Sequence, residues 1–237
     1  ALAAMCALGE LGQVDMAIHS NTGWERTVTR RFARRWTPWL QGHNIPVMTV
    51  QPKDSRVTQR RAIMPPVYTE RRSDGQRGIS PRQCTRDWKV TPQKRLLREI
   101  MRCRGIRLLP GAVEQWIGYT ADEAHRCSPS RVAYIRKRYP LIEAGVTRHA
   151  AALWLRRHGL EVPRKSACIF CPYRRDIAWH ELRSTAPSDW EKAVLIDRAI
   201  RERDLTHRCY LHDSYQPLEL AIRQRPAFAI LNLEAVT

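Results

Sequence analysis

The sequence predicts an α/β fold, with a parallel sheet in its N-terminal part and a mostly helical C-terminal part. Three observations carry this. The first fifty residues alternate helix, strand, helix, strand, the order of a parallel sheet with crossover helices. A third strand, Val113–Gly118, runs into the polar and charged stretch Tyr119–Arg126. From residue 147 to residue 203 the pattern is one of capped helices.

In chain order, Ala1–Leu11 is apolar enough for a helix buried against a sheet, and Val14–His19 reads as a short strand. Ser20-Asn21-Thr22-Gly23 is a turn cluster able to cap the next helix. Glu25–Gln41 is a basic amphipathic helix, and Ile45–Val50 a second strand with its proline near the start. Residues 52–83 are polar, rich in Arg, Pro and Gly, and lack periodicity, so they read as one long functional or mobile loop. Thr91–Arg104 is a helix with Pro92 in its first turn. Thr147 caps a helix that Gly159 stops near His158. Asp176–Arg183 and Ser188–Arg203 are two more helices, the second capped by Ser188 with Glu191 at its third position. The tail carries His212, Pro217 and the apolar stretch Ala227–Leu233. Ligands of open α/β sheets bind beyond the carboxyl ends of strands, so Ser20–Gly23 and Thr120–Arg126 are expected on one rim.

The 237 residues, 43% of them hydrophobic, suffice for a core. The apolar runs are too short to cross a bilayer, and the first lacks the basic start of a signal peptide, so the cytoplasm is the expected home. The formal net charge is +18 with a pI near 10.4, which favours a polyanionic partner, DNA before RNA. Aromatic rings interleave with basic groups in Arg30–Trp36, Arg136–Tyr139 and Arg156–His158, as base stacking plus phosphate contacts need. A solvated helix face shows the same pattern.

Seven cysteines without an export signal argue against a disulfide framework. Cys6 and Cys103, among apolar neighbours, read as small buried hydrophobes. Cys168 and Cys171, in Ser166-Ala167-Cys168-Ile169-Phe170-Cys171-Pro172-Tyr173-Arg174, are spaced to face one metal. Cys84 sits in a basic segment before a helix N-terminus, where a thiolate is stabilised. Cys209 is the choice for fourth ligand, with Cys127 as its rival. The set suits an iron–sulfur cluster, 4Fe–4S, or zinc; a thioredoxin-like redox pair is the other reading of Cys168 and Cys171.

These motifs, with "SNTGWE" (Ser20–Glu25), "RQCTRDWKVTP" (Arg82–Pro92), "QWIGYTADEAHR" (Gln115–Arg126), "RYPLIE" (Arg138–Glu143) and "YLHDSYQPL" (Tyr210–Leu218), give the chain a family likeness over most of its length. It resembles the phosphoadenosine-phosphosulfate reductase-like branch of the adenine-nucleotide α-hydrolase superfamily, the PP-loop ATP pyrophosphatases, especially members from phages and DNA-modification or defence loci. The resemblance implies a Rossmann-like sheet binding ATP with magnesium at its strand ends, with residues 1–145 as nucleotide-binding core and 146–237 as a helical region holding the Cys-x-x-Cys metal loop. It implies Ser20, Asn21, Thr22 and Gly23 near adenine and ribose, although relatives often carry Asp where Asn21 stands. It implies a cluster on Cys84, Cys168 and Cys171, and a reaction site lined by Asp122, Glu123, His125 and Arg126. Arg86, Lys89, Arg131 and Arg138 become candidate contacts to nucleic acid. The family's serine–glycine–glycine phosphate loop is not in the sequence; it belongs just before the first helix, and so is expected upstream of Ala1.

The functional expectation is an iron–sulfur PP-loop enzyme acting on nucleic acid, by ATP-dependent sulfur transfer or a related modification, with a sulfur donor such as a cysteine desulfurase. Three alternatives stand beside it. One is a nucleic-acid enzyme on the same fold that removes or alters a modified base without ATP. Another is a sulfonucleotide reductase for small molecules. The third is a non-catalytic module with structural zinc.

Overall fold

The computed structural model describes residues 1–54, 57, 65–201 and 203–224. The apolar stretch Ala227–Leu233 and part of the 52–83 segment lie outside them. The chain is mixed α/β and divides into two compact units that interleave along the sequence. One comprises residues 1–19, 31–50 and 93–164; the other comprises 20–30, 51–92 and 165–237. This differs from a sequential division at residue 145, because the chain returns twice to each unit.

The first unit contains helix α1 (Leu2–Ala7), most of strand β1 (Ala17–Ser20), most of helix α2 (Thr27–Gly42) and strand β2 (Val47–Val50). Strands β1 and β2 pair as a two-stranded sheet. Cys6, Leu40 and Ile45 form its small core, with Leu2, Val14, Trp39 and Trp116 packed around them. Left-handed Asn44, φ 59°, turns the chain from α2 toward β2. After helix α3 (Thr91–Cys103), strand β5 (Val113–Trp116) pairs in parallel with β6 (Ile135–Arg138). Strand β6 is the basic stretch read as a surface cluster; its residues alternate faces as a strand requires. Helix α4 (Pro140–Glu143) comes next with Pro140 in its first turn, then α5 (Arg148–Arg157). Thr147 caps α5, its hydroxyl accepting from the Ala150 amide at 3.1 Å, and left-handed Gly159 (φ 64°) stands just past its end.

The second unit has a three-stranded antiparallel sheet in the order β4 (Arg77–Ile79), β3 (Tyr68–Arg71), β7 (His207–Tyr210). Tyr68 lies opposite Ile79 on one side and Tyr210 on the other. The long loop expected at 52–83 therefore contains a hairpin, closed at Asp74-Gly75, where Gly75 takes φ 73°. Its core gathers Trp88, Phe170, Trp179, Leu182, Ile200 and Leu218 among others. Helices α6 (Asp176–Thr185), α7 (Pro187–Arg201) and α8 (Leu218–Gln224) complete it.

Helix α7 starts at Pro187, one residue before the expected Ser188 cap. Its buried Asp189 accepts from the Thr27 amide at 2.7 Å and the Thr27 hydroxyl at 2.8 Å, so a carboxylate from α7 satisfies the first turn of α2. Asp197, also buried, accepts from the Leu211 and Leu218 amides and from Arg201. Among the described residues no single sheet joins β1, β2, β5 and β6; they form separate two-stranded pairs. No helix of the described residues is long and apolar enough to cross a membrane.

Candidate functional site

The turn Ser20–Gly23 and the Cys168–Cys171 loop are 146 residues apart in sequence and adjacent in the second unit. An antiparallel bridge joins Glu25 to Cys168, and the Ile169 amide donates to the Trp24 carbonyl at 2.9 Å. The rings of Trp24 and Phe170 meet edge to face at 5.2 Å, and Trp88 meets Phe170 at 6.3 Å. These contacts hold the two loops in register.

Thr22, 1% exposed, is the centre of the junction. Its hydroxyl donates to Glu25 Oε1 at 2.7 Å, and Glu25 Oε1 also accepts the Thr22 amide at 2.9 Å. The Cys168 Sγ stands 3.9 Å from Thr22 Oγ1. Since the threonine hydrogen goes to Glu25, the thiol is the donor to Thr22. Thiol, hydroxyl and carboxylate thus form a chain by which a proton can leave Cys168. Burial pushes the Cys168 thiol up to about 11, with Lys89 and Thr22 pulling it down and Glu25 and Cys171 adding to the rise. Asn21 Oδ1 accepts from the Gly23 amide at 2.9 Å, which shapes the turn, and Gly23 has φ 82°.

Two guanidiniums border the cysteines. Arg26 is 5% exposed and pairs with Glu181 at 3.3 Å. Arg174 donates to the Cys168 carbonyl at 2.9 Å and lies over the Trp179 ring at 4.9 Å. Burial lowers the Arg174 pKa, and the nearby Arg26 charge lowers it further. The Nε atoms of both arginines are buried without a hydrogen-bond partner, as are the indole nitrogens of Trp88 and Trp179 and one oxygen of Glu25. Buried donors in such numbers are costly unless an acceptor completes the site.

The cysteines separate by unit. Cys84, Cys168, Cys171 and Cys209 all belong to the second, whereas Cys6, Cys103 and the rival Cys127 belong to the first. Cys84 and Cys168 pack against the same apolar cluster, and Cys84 stands at the start of a π-helical turn, Thr85–Val90, that runs into α3. Cys209 is buried on β7; burial pushes its thiol up to about 11, and the charges that act on it are Asp204, Arg203 and Arg72, not those around Cys168. Cys6 is buried as expected, but Cys103 is exposed because it faces outward at the end of α3.

A second donor group stands in the same unit, around His212, which the sequence leaves open between a local hydrogen bond and a ligand contact. Asp176, His212 and Asp213 bring their ligand atoms within 4.8 Å of one another, the group of this kind found among the described residues. His212 is 2% exposed; its Nε2 stands 3.1 Å from Asp176 Oδ1, and its Nδ1 lies 2.8 Å from Ser214 Oγ and 3.2 Å from Asp213. The Ser214 amide donates to Nδ1, which makes Nδ1 the acceptor and Nε2–H the donor to Asp176. The Tyr68 ring meets Tyr215 edge to face at 5.6 Å, and burial first, then the charge of Asp213, raises its pKa. Tyr215 takes φ 56°, an uncommon conformation for a bulky residue, and its hydroxyl donates to the Gly78 carbonyl.

Of the other expected site residues, those of the first unit include four held by local partners, Asp122, Glu123, Arg126 and Arg138. Asp122 accepts the Arg148 amide at 2.6 Å at the start of α5, which keeps its carboxyl below the usual range. Glu123 pairs with Arg126, and Arg126 also lies over the Tyr119 ring at 4.2 Å. His125 is exposed on the same 3-10 turn, Ala121–Arg126. Arg138 pairs with Glu143 at 2.8 Å and Glu114 at 3.6 Å and lies over Trp116, so its charge is already matched. Arg131 is exposed. In the second unit, Arg86 makes two hydrogen bonds to Asp87, while exposed Lys89 faces Cys168 electrostatically. Ser20–Gly23 and Thr120–Arg126, expected on one rim, belong to different units apart from Ser20's strand mates in β1.

No protein-family model matches the chain, and neither the curated proteins nor the solved structures contain a match to it.

Proposed function

We propose that the chain is a thiolate–metal enzyme acting on nucleic acid, with an iron–sulfur centre at the cysteine loop of the second unit. One observation carries the reading: the Thr22–Glu25 turn and the Cys168–Cys171 loop meet in a buried setting rich in unsatisfied donors. Thiols in that setting are costly to ionise alone and become thiolates when a metal takes their protons' place. Cys84, Cys168 and Cys171 would hold the group. Cys209, among other charges, is the weaker fourth candidate, and the Asp176–His212–Asp213 group offers further donors in the same unit. An iron–sulfur centre supplies electrons or activated sulfur when bound.

The chain's own residues do the rest. Thr22 and Glu25 accept the proton that leaves Cys168. Asp176 and the Ser214 amide fix the His212 ring between them, Nε2–H donating to Asp176 and Nδ1 accepting from Ser214. The excess positive charge attracts the phosphate backbone. ATP with magnesium, the Rossmann-like kinship and sulfur transfer to nucleic acid, with a cysteine desulfurase as donor, belong to this proposal. The expected compartment remains the cytoplasm.

The His212 group favours one second reading, a nucleic-acid enzyme that alters or removes a modified base without ATP. Anaerobic purification with iron, sulfide and zinc analysis tests the first reading. Iron with sulfide, lost in Cys84→Ala and Cys168→Ala, is the expected result; metal-free protein, or zinc unaffected by either change, overturns it. Turnover of modified DNA without added ATP favours the second.

A further inference from the structure

Large aromatic rings on a helix surface need a reason when they do not serve the core. Phe32, Trp36 and Trp39 stand at i, i+4 and i+7 of α2, which puts them on one face. The rings of Phe32 and Trp36 stack at 5.3 Å, Trp36 meets Trp39 edge to face at 4.9 Å, and Trp39 meets His43 at 4.1 Å. Trp39 packs against the core of the first unit. Among the described residues, Phe32 and Trp36 belong to neither core, and both are half-buried. Ring pairs at this spacing stabilise a helix only slightly. Cations border the ladder. Exposed Arg35 lies three residues from Phe32 and four from Trp39, neighbouring positions on a helix, and exposed Arg31 lies one turn before it. Helix α2 carries four arginines and no carboxylate. Arg35 pairs with Glu161 at 3.2 Å, but the two side chains are 76% and 50% exposed, so the pair compensates little of that charge. On α5 of the same unit the association recurs: Trp154 and His158 stack at 4.1 Å beside exposed Arg156 and Arg157.

We propose that the ring ladder of α2, with Arg31 and Arg35 beside it, is a binding surface for single-stranded nucleic acid: bases stack on the ladder while the guanidiniums hold phosphates. Unpaired bases offer a π face that an aromatic ring can cover, whereas in a duplex those faces are covered by the neighbouring base pairs. An acidic peptide would match the arginines and leave the rings without a use. The inference rests on the proposed function only for its nucleic-acid partner, and it needs neither the cysteine loop nor a metal.

The test uses the full chain and fluorescence anisotropy with a labelled oligothymidylate and a labelled duplex of the same length. The expected result is tighter binding of the single strand, weakened about tenfold in Trp36→Leu, which keeps the apolar bulk and loses the ring. The salt slope of that variant stays as in the wild type, and Trp36→Phe restores most of the affinity. Arg31→Gln instead lowers the salt slope, by about 0.7. If Trp36→Leu does not fold, as judged by circular dichroism, Phe32→Leu takes its place. A duplex bound as tightly as the single strand, or Trp36→Leu binding as tightly as the wild type, overturns the inference and leaves nucleic acid as a partner held by charge. Binding of neither probe overturns this inference and the proposed substrate together, while iron, sulfide and zinc analysis decides the metal centre on its own.

Discussion

Asp122 illustrates how a carboxylate at a strand exit can be structural. Its oxygen accepts the Arg148 amide at the start of α5, where helix N–H groups lack partners. Its pKa is lowered first by that bond. A lowered carboxyl stabilises the fold above its unfolded value, 3.8, and loses that effect as pH falls through the lower folded one. Asp122→Ala is therefore expected to lower the melting temperature at pH 7, and the gap to wild type to close in acid below pH 3.8. Thermal unfolding followed by circular dichroism across pH 2–7, spanning both protonation states, checks this; a gap independent of pH would contradict it. If Asp122 were catalytic, its loss would abolish activity with little change in melting. Thr22 carries the opposite lesson. Its amide and hydroxyl both donate to Glu25, three residues along the chain, yet the sulfur beside it is 146 residues away.

Elements are tied to one another by two buried carboxylates of α7. Asp189 holds the first turn of α2, and Asp197 holds the chain after β7 and the start of α8. Asp189→Ala is expected to cost about 2 kcal/mol, the upper end for a lost helix cap. Asp197→Ala is expected to cost about 3 kcal/mol, since it also strands Arg201. Urea unfolding monitored by tryptophan fluorescence measures both; equal and negligible effects would show that the carboxylates are not the ties described. Helix α5 was legible from the sequence because its cap, Thr147, and its stop, Gly159, are local. The hairpin β3–β4 was not, because the polarity of residues 68–79 outweighed its Asp74-Gly75 turn signal. Strand β6 was missed for a similar reason: its arginines and lysine read as a charged surface, and only pairing with β5 makes them a strand.

On the scale of the whole molecule, a net charge of +18 makes a definite prediction about partners. Binding to duplex DNA should weaken linearly on a log–log plot against salt, by roughly 0.9 in slope for each phosphate engaged. Fluorescence anisotropy with a labelled duplex between low and physiological salt measures the slope. Affinity independent of salt would remove phosphate as the ligand of this charge. Replacing Arg31 and Arg34 of α2, both exposed, by Gln should reduce the slope if that face contributes.

By itself the sequence determined what depends on neighbours in the chain: the positions of most helices, the caps at Thr147 and Gly159, the charge, and the pairing of Cys168 with Cys171 across one tight turn. It also marked, as separate motifs, the two loops that meet in the second unit. Tertiary structure decided which distant residues meet. It placed four cysteines in one unit and three in the other, set Thr22 against Cys168, took Asp122 and Arg138 into local ties, and brought Arg174 onto the Cys168 carbonyl. The physical reason is that helix periodicity and capping are set within a few residues, whereas burial and charge compensation depend on where the chain returns, and this chain returns to each unit twice.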